Sequence, residues 1–138
     1  MKKALLLLVV LIATATQFSC KKVIEEVQKD KFINAMTSGE WYVDSFLEGA
    51  VSVTEQFADY NFKFSEDGTV TGTKNSQIVK GTWIGDIENY SINSNFPTGE
   101  NPIVKLNGSW KITKTTEDSV HAEMNTPTGK MILHLKRK

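Results

Sequence analysis

Apolar and polar residues alternate with two different periods along this chain. Over Lys21–Ser38, Val23, Ile24, Val27, Phe32, Ile33 and Met36 recur at helical spacing, with Glu25, Glu26, Lys29, Asp30 and Lys31 between them. The pattern predicts a tether running into a short helix, or a solvated stalk, stopped at Gly39. From Glu40 onward the period drops to two. Glu40–Phe46 opens a series of strands. In Tyr60–Ser65 the residues Tyr60, Phe62 and Phe64 share one face, while Asn61, Lys63 and Ser65 share the other. Glu66-Asp67-Gly68 reads as a hairpin turn into a return strand, Thr69–Thr73.

Ile78–Ile87 and Tyr90–Ser94 follow as strands around a tight turn at Glu88-Asn89. Asn95–Pro102 is the longest loop-like stretch, and Ile103–Leu106 is either a short strand or part of it. Ser109–Lys114, Ser119–Asn125 and Lys130–Lys136 alternate again, joined by turns at Glu117-Asp118 and Thr126–Gly129. Seven or eight short strands with no long helix between them predict an all-β antiparallel up-and-down meander. Closing the meander into a small barrel removes its two exposed edges and completes its core.

The N-terminus follows a different logic. Lys2 and Lys3 precede an unbroken apolar run, Ala4–Ala13, and the stretch TATQFS leads to Cys20. A charged start, a short apolar centre and small residues form a processing signal. The run is too short for a spanning helix, which needs roughly twenty residues. The arrangement resembles a bacterial lipoprotein signal peptide, with Ser19 as the small residue before the cysteine. That resemblance implies a signal peptide over 1–19, lipidation at Cys20 and membrane attachment through the lipid. The residues alone also allow an ordinary secretory signal with an incidental cysteine. Cleavage before Cys20 would remove Lys2 and Lys3 and none of the 16 acidic residues, leaving 14 basic ones. Cys20 is the only cysteine, so an exported domain must be held by its own core rather than by disulfides. The near-neutral charge argues against a nucleic-acid partner.

The strand blocks carry a second resemblance. Ser38-Gly39-Glu40-Trp41, then YNFKFSEDGTVTGT at Tyr60–Thr73, Lys80-Gly81-Thr82-Trp83, SWKIT at Ser109–Thr113 and the terminal ILHLKRK come in a characteristic order. Together they resemble the lipocalin-like domain of small envelope lipoproteins from Gram-negative bacteria. The resemblance spans Ser38–Lys138 and implies a lipocalin-like barrel over 39–138 behind a lipidated tether at 20–38. It assigns no catalytic residue. Gly39-x-Trp41 is also similar to the G-x-W signature of lipocalins, which implies barrel closure by Trp41 under a basic residue of the last strand, here Arg137. Such a cation–π stack contributes about 0.5–2 kcal/mol. A frayed C-terminus is the alternative.

Candidate chemistry is sparse. The chain has no G-x-S-x-G, no H-E-x-x-H and no phosphate-binding glycine loop, and lipidation would consume its one thiol. The expectation is a non-enzyme without a cofactor. If Thr126–Gly129 is a four-residue turn, His121 stands opposite His134 with Glu123 two residues along the same face. Two imidazoles and a carboxylate are a weak metal candidate. The same face opposes Val120, Met124, Leu133 and Leu135, so an ordinary solvent-facing pair is the competing reading.

The aromatics Trp41, Tyr60, Phe62, Phe64, Trp83, Tyr90 and Trp110 are candidates to line a ligand cavity or to fill the core, with Tyr60, Phe62, Trp83 and Trp110 the expected lining for an apolar ligand. An eight-stranded barrel is only just wide enough to be filled by side chains or to hold one small ligand. The loops Leu47–Ala58 and Asn95–Pro102 are candidates for recognition. Together the two resemblances imply a monomeric lipoprotein of the bacterial outer membrane. Related lipoproteins exported to the surface place acidic residues right after the cysteine, and here Lys21 and Lys22 precede Glu25 and Glu26, so the resemblance implies the periplasmic face. Such a lipoprotein would bind a small apolar ligand or an envelope protein, or serve as a structural accessory with a filled barrel.

Overall fold

The computed structural model describes residues 25–138. The proposed signal peptide and Cys20 lie outside the described residues. Helix α1 occupies residues 25–37 and ends before Gly39, whose φ of 96° suits a residue without a Cβ. Nine strands follow: β1 (Trp41–Glu48), β2 (Val51–Ser52), β3 (Asn61–Phe64), β4 (Thr69–Lys74), β5 (Gln77–Asp86), β6 (Ser91–Asn95), β7 (Gly108–Thr115), β8 (Ser119–Thr126) and β9 (Gly129–Arg137).

Every neighbouring pair is antiparallel, and β9 pairs back with β1 from Trp41↔Arg137 to Glu48↔Met131. Eight strands thus close a barrel, with β2 an appendage on β1. The turns follow the residues that permit them. Gly68 has φ 84°, and the Asp67 carboxylate accepts the Thr69 N–H at 2.9 Å. Register breaks between Val43 and Ser45 and between Ile112 and Lys114 add the local bend that a closed sheet needs.

The barrel is sealed differently at its two ends. At one end α1 lies across the mouth. Phe32 and Met36 are buried, and the Trp41 Nε1–H donates to the Met36 carbonyl at 2.9 Å. Gly85 makes room for this cap, because a Cβ there would meet the Phe32 ring at 2.7 Å.

At the other end the connections fold inward. The segment after β2 forms a 3-10 turn, Thr54–Phe57, that buries Phe57 edge-on against Phe46. Ile103–Leu106 is a second 3-10 turn, neither strand nor open loop, and it buries Ile103 and Leu106 beside Phe96. The two stretches read as recognition loops therefore bury Val53, Phe57 and Phe96 in the core, while Val51 stays exposed. A 3-10 turn of four residues has no sustained period to betray it in the sequence.

The weakest seam lies between β1 and β3, which share the single register pair Trp41↔Phe62. Farther along β1, Thr54 takes the place of a strand. Its Oγ1 accepts the Phe46 N–H at 2.9 Å, and the Val53 N–H donates to the Phe46 carbonyl at 2.9 Å. These bonds occupy backbone groups that a pairing strand would otherwise satisfy.

Candidate functional site

Two spaces are candidates for binding: the barrel interior and a crevice at the capped mouth. The interior cavity is about 40 Å³ and is walled by Phe62, Phe64, Ile92, Phe96, Trp110 and Leu133 among others. Drug-sized ligands normally occupy some ~300–1,000 Å³. An acyl chain cannot enter a cavity of this size without displacing the side chains that wall it.

Of the four aromatics proposed to line a ligand, Phe62 and Trp110 border this cavity. Trp83 packs edge-on against Phe64, with ring centroids 5.2 Å apart, and its Nε1–H donates to the Ser65 carbonyl at 2.9 Å. Tyr60 sits at the rim, stacked on Phe62 at 6.1 Å and covered by the Lys74 ammonium at 5.1 Å. The structure thus divides the four between a packed wall and the rim. Tyr90 lies outside the barrel at 59 % exposure, in a turn where its φ is 48°.

The crevice is larger, about 670 Å³. One wall is α1, with Gln28, Lys31 and Phe32. The other is the barrel rim, with Ile87, Tyr90, Ile112, Thr115–Glu117 and Arg137. Apolar side chains form part of its lining, while Lys31, Arg137 and Glu117 supply charge of both signs. The lining places this space between α1 and the side of the rim that runs from the β5–β6 turn to the end of β9.

Arg137 connects the two features. It is the direct cross-strand partner of Trp41, and its guanidinium donates to the Ser38 carbonyl at 3.3 Å. Its aliphatic stem runs 3.4 Å from where a Cβ of residue 39 would stand. The residue ties the end of the last strand to the helix–strand junction. Among the described residues, the cation seated over an aromatic ring is Lys74 on Tyr60.

The histidines meet as their strand numbering implies. His121 and His134 are register partners, and the turn that sets this pairing closes at Thr126↔Gly129. Their rings stack at 3.8 Å with an interplanar angle of 17°. Both are half-buried on the outer barrel surface. Burial, and then the neighbouring His121, hold the His134 imidazole below its ordinary pKa, against a smaller opposing pull from Asp44.

Glu123 is turned to Lys130, with 3.1 Å between Oε2 and Nζ. Among the described residues, no group of three or more His, Cys, Asp or Glu is placed to hold a metal ion. None of their helices is long and apolar enough to cross a membrane.

No family profile matches the chain, and no curated protein does. Among solved structures it is similar to a DUF4847 family protein from Bacteroides vulgatus. The TM-score is 0.58 and the identity 18 %, over 75 % of this chain and 94 % of that one. The likeness shows the fold. At that identity the two chains share a barrel architecture and carry no residue-by-residue correspondence of a site.

Proposed function

We propose that this chain is a lipid-anchored envelope lipoprotein with a lipocalin-like barrel, and that it binds a partner at its capped mouth rather than a ligand in its interior. The observation that carries this reading is the contrast of volumes: about 40 Å³ inside the barrel against about 670 Å³ between α1 and the rim. The interior suits a rigid scaffold. The crevice suits a protruding side chain or short segment of an envelope protein, with Tyr90 exposed at its edge and Arg137 and Glu117 beside it.

Cys20 provides the anchor, and α1 is the link between anchor and barrel. No catalytic group is assigned. The second reading, a spacer with no partner at the mouth, draws on the same packed interior.

Intact-mass spectrometry of the chain purified from native bacterial membranes, beside C20A, tests the anchor. The proposal expects an acylated species beginning at Cys20 and loss of membrane association in C20A. A photo-crosslinker at Tyr90 tests the mouth. A discrete adduct from that position, absent from one placed at Lys63, supports partner binding there. No adduct from Tyr90 favours the spacer.

A further inference from the structure

The outer surface of the barrel is not uniform. On β1, β8 and β9 the outward carboxylates are paired: Asp44 with Lys136 at 3.3 Å, and Glu123 with Lys130 at 3.1 Å. The outward positions of β3–β7 are different. They carry threonine, serine, asparagine, lysine and isoleucine, and one carboxylate, Asp86, at the rim, where two bonds from Asn89 hold it. Lys63, Lys80 and Lys111 stand on this half and make no ion pair with a described residue.

Two large apolar side chains project into solvent from β5, Ile78 two positions from Lys80 and Ile84 four. Ile78 is 62 % exposed and Ile84 67 %. They point outward from one strand, with Lys80 and Thr82 between them. Register sets Lys80 beside Thr71, and Thr71 beside Lys63 on the next strand. Ile78 beside the unpaired Lys80, on strands with a single outward carboxylate, has the chemistry of an interfacial surface, and Ile84 extends the apolar stretch toward the rim between Thr82 and Asp86.

The path of the chain indicates which surface it meets. Met36 and Ser38 bond to Trp41 and Arg137, on the β1–β9 side of the mouth. Phe32 and Ile33 pack where a Cβ of Gly85 would stand, and Lys29 lies close enough to Asp86 to act on its charge. The helix therefore enters over the β5–β6 rim and crosses toward β1. Lys29, four residues beyond Glu25, is thus on the β5 side of the mouth, near Asp86. Five residue steps separate Cys20 from Glu25, a reach of roughly 17 Å at most.

We infer that the outer face of β3–β7, centred on Ile78, Lys80 and Ile84, docks on the anionic headgroup surface of the bilayer that holds the anchor. The inference rests on the lipoprotein reading above. It adds an orientation: the barrel lies on its side against the membrane rather than standing off it. Ile78 and Ile84 enter the headgroup region, and the lysines meet lipid phosphates.

The test uses the full chain, acylated in cells and reconstituted into vesicles of phosphatidylethanolamine with phosphatidylglycerol. Acylation consumes Cys20, so I84C and K136C each carry one free thiol for an environment-sensitive fluorophore. Both positions are exposed or at a surface ion pair, so neither change threatens the core. The expected result is that the I84C probe is blue-shifted and several-fold less quenched by aqueous acrylamide than the K136C probe. K63E/K80E should abolish that difference while the protein still floats with the vesicles.

Equal quenching at both positions in floating protein overturns the orientation and leaves the anchor standing. Protection of I84C that is unchanged in vesicles of phosphatidylcholine alone also overturns it, because the lysines would then play no part. Failure of the unlabelled chain to float overturns the anchor reading and this inference with it.

Discussion

His121 and His134 stack face to face across the β8–β9 ladder, 3.8 Å between ring centroids. The contact is favourable only while the rings are not both charged. Burial and the His121 ring lower the pKa of His134 in the folded state from the ordinary histidine value of 6.5. The unfolded chain therefore takes up this proton first as pH falls. The contribution to stability is full above about pH 6.5 and is lost as pH drops through the lowered folded value. Urea midpoints should decline between about pH 7 and about pH 5, and H121Q should decline less steeply over that range. Identical slopes in both proteins would remove His121 as a cause.

Two glycines on β5 should fail differently. A Cβ at position 81 would lie 2.5 Å from the Asn95 carbonyl oxygen, a backbone atom that cannot yield. Gly81→Ala should cost the whole barrel about 3 kcal/mol or more. At position 85 the nearest atom belongs to the Phe32 ring, on the cap rather than the barrel. Gly85→Ala should cost about 1–3 kcal/mol, with the loss confined to α1. Hydrogen exchange separates the two: faster exchange throughout the sheet for the first, and only over residues 25–37 for the second.

Thr54 is the hinge pin of the β1–β3 seam. Replacing it with valine keeps the shape and deletes the oxygen that accepts the Phe46 N–H. The expected loss is about 1–2 kcal/mol, read from denaturant midpoints. Exchange of the Phe46 amide should rise before that of its β9-side neighbours. Protection of that amide equal to wild type would show that the seam closes without Thr54.

The Lys105–Glu48 pair joins the second plug to the end of β1 at 2.7 Å, and it is partly exposed. Lys105→Met should change stability by less than about 1 kcal/mol. Trp110→Ala should cost roughly 3–5 kcal/mol, because the indole fills the interior and its Nε1–H donates to the Leu106 carbonyl at 2.9 Å. A larger effect from the ion pair than from the tryptophan would contradict a barrel stabilised by its packed core.

Much of this was legible in the chain because a strand in a one-sided sheet must alternate. Phe62 and Phe64 against Asn61 and Lys63, or Trp110 and Ile112 against Lys111, fix both the strand and its inward face. The turn at Thr126–Gly129 likewise set the histidine pairing, since in a hairpin the turn dictates register. Closure also followed from the lack of any long helix to cover an open edge.

The plugs were not legible. Phe57, Phe96, Ile103 and Leu106 sit among turn-forming residues and look like parts of surface loops. Only a barrel with open ends gives their apolar side chains a destination. The crevice was hidden for a related reason. It depends on the direction in which α1 crosses the mouth, and that direction is set by Gly85 and by the Trp41–Met36 bond rather than by helical periodicity.

The central claim is that the barrel interior is filled by its own side chains. Native mass spectrometry of the folded protein, purified gently from the cells that make it, tests it most directly. The account predicts the mass of the chain with its covalent modifications and nothing more, unchanged when long-chain fatty acids are added. A stoichiometric apolar molecule retained by the wild-type protein and lost in a variant with a bulkier lumen, such as Ala122→Phe, would contradict it.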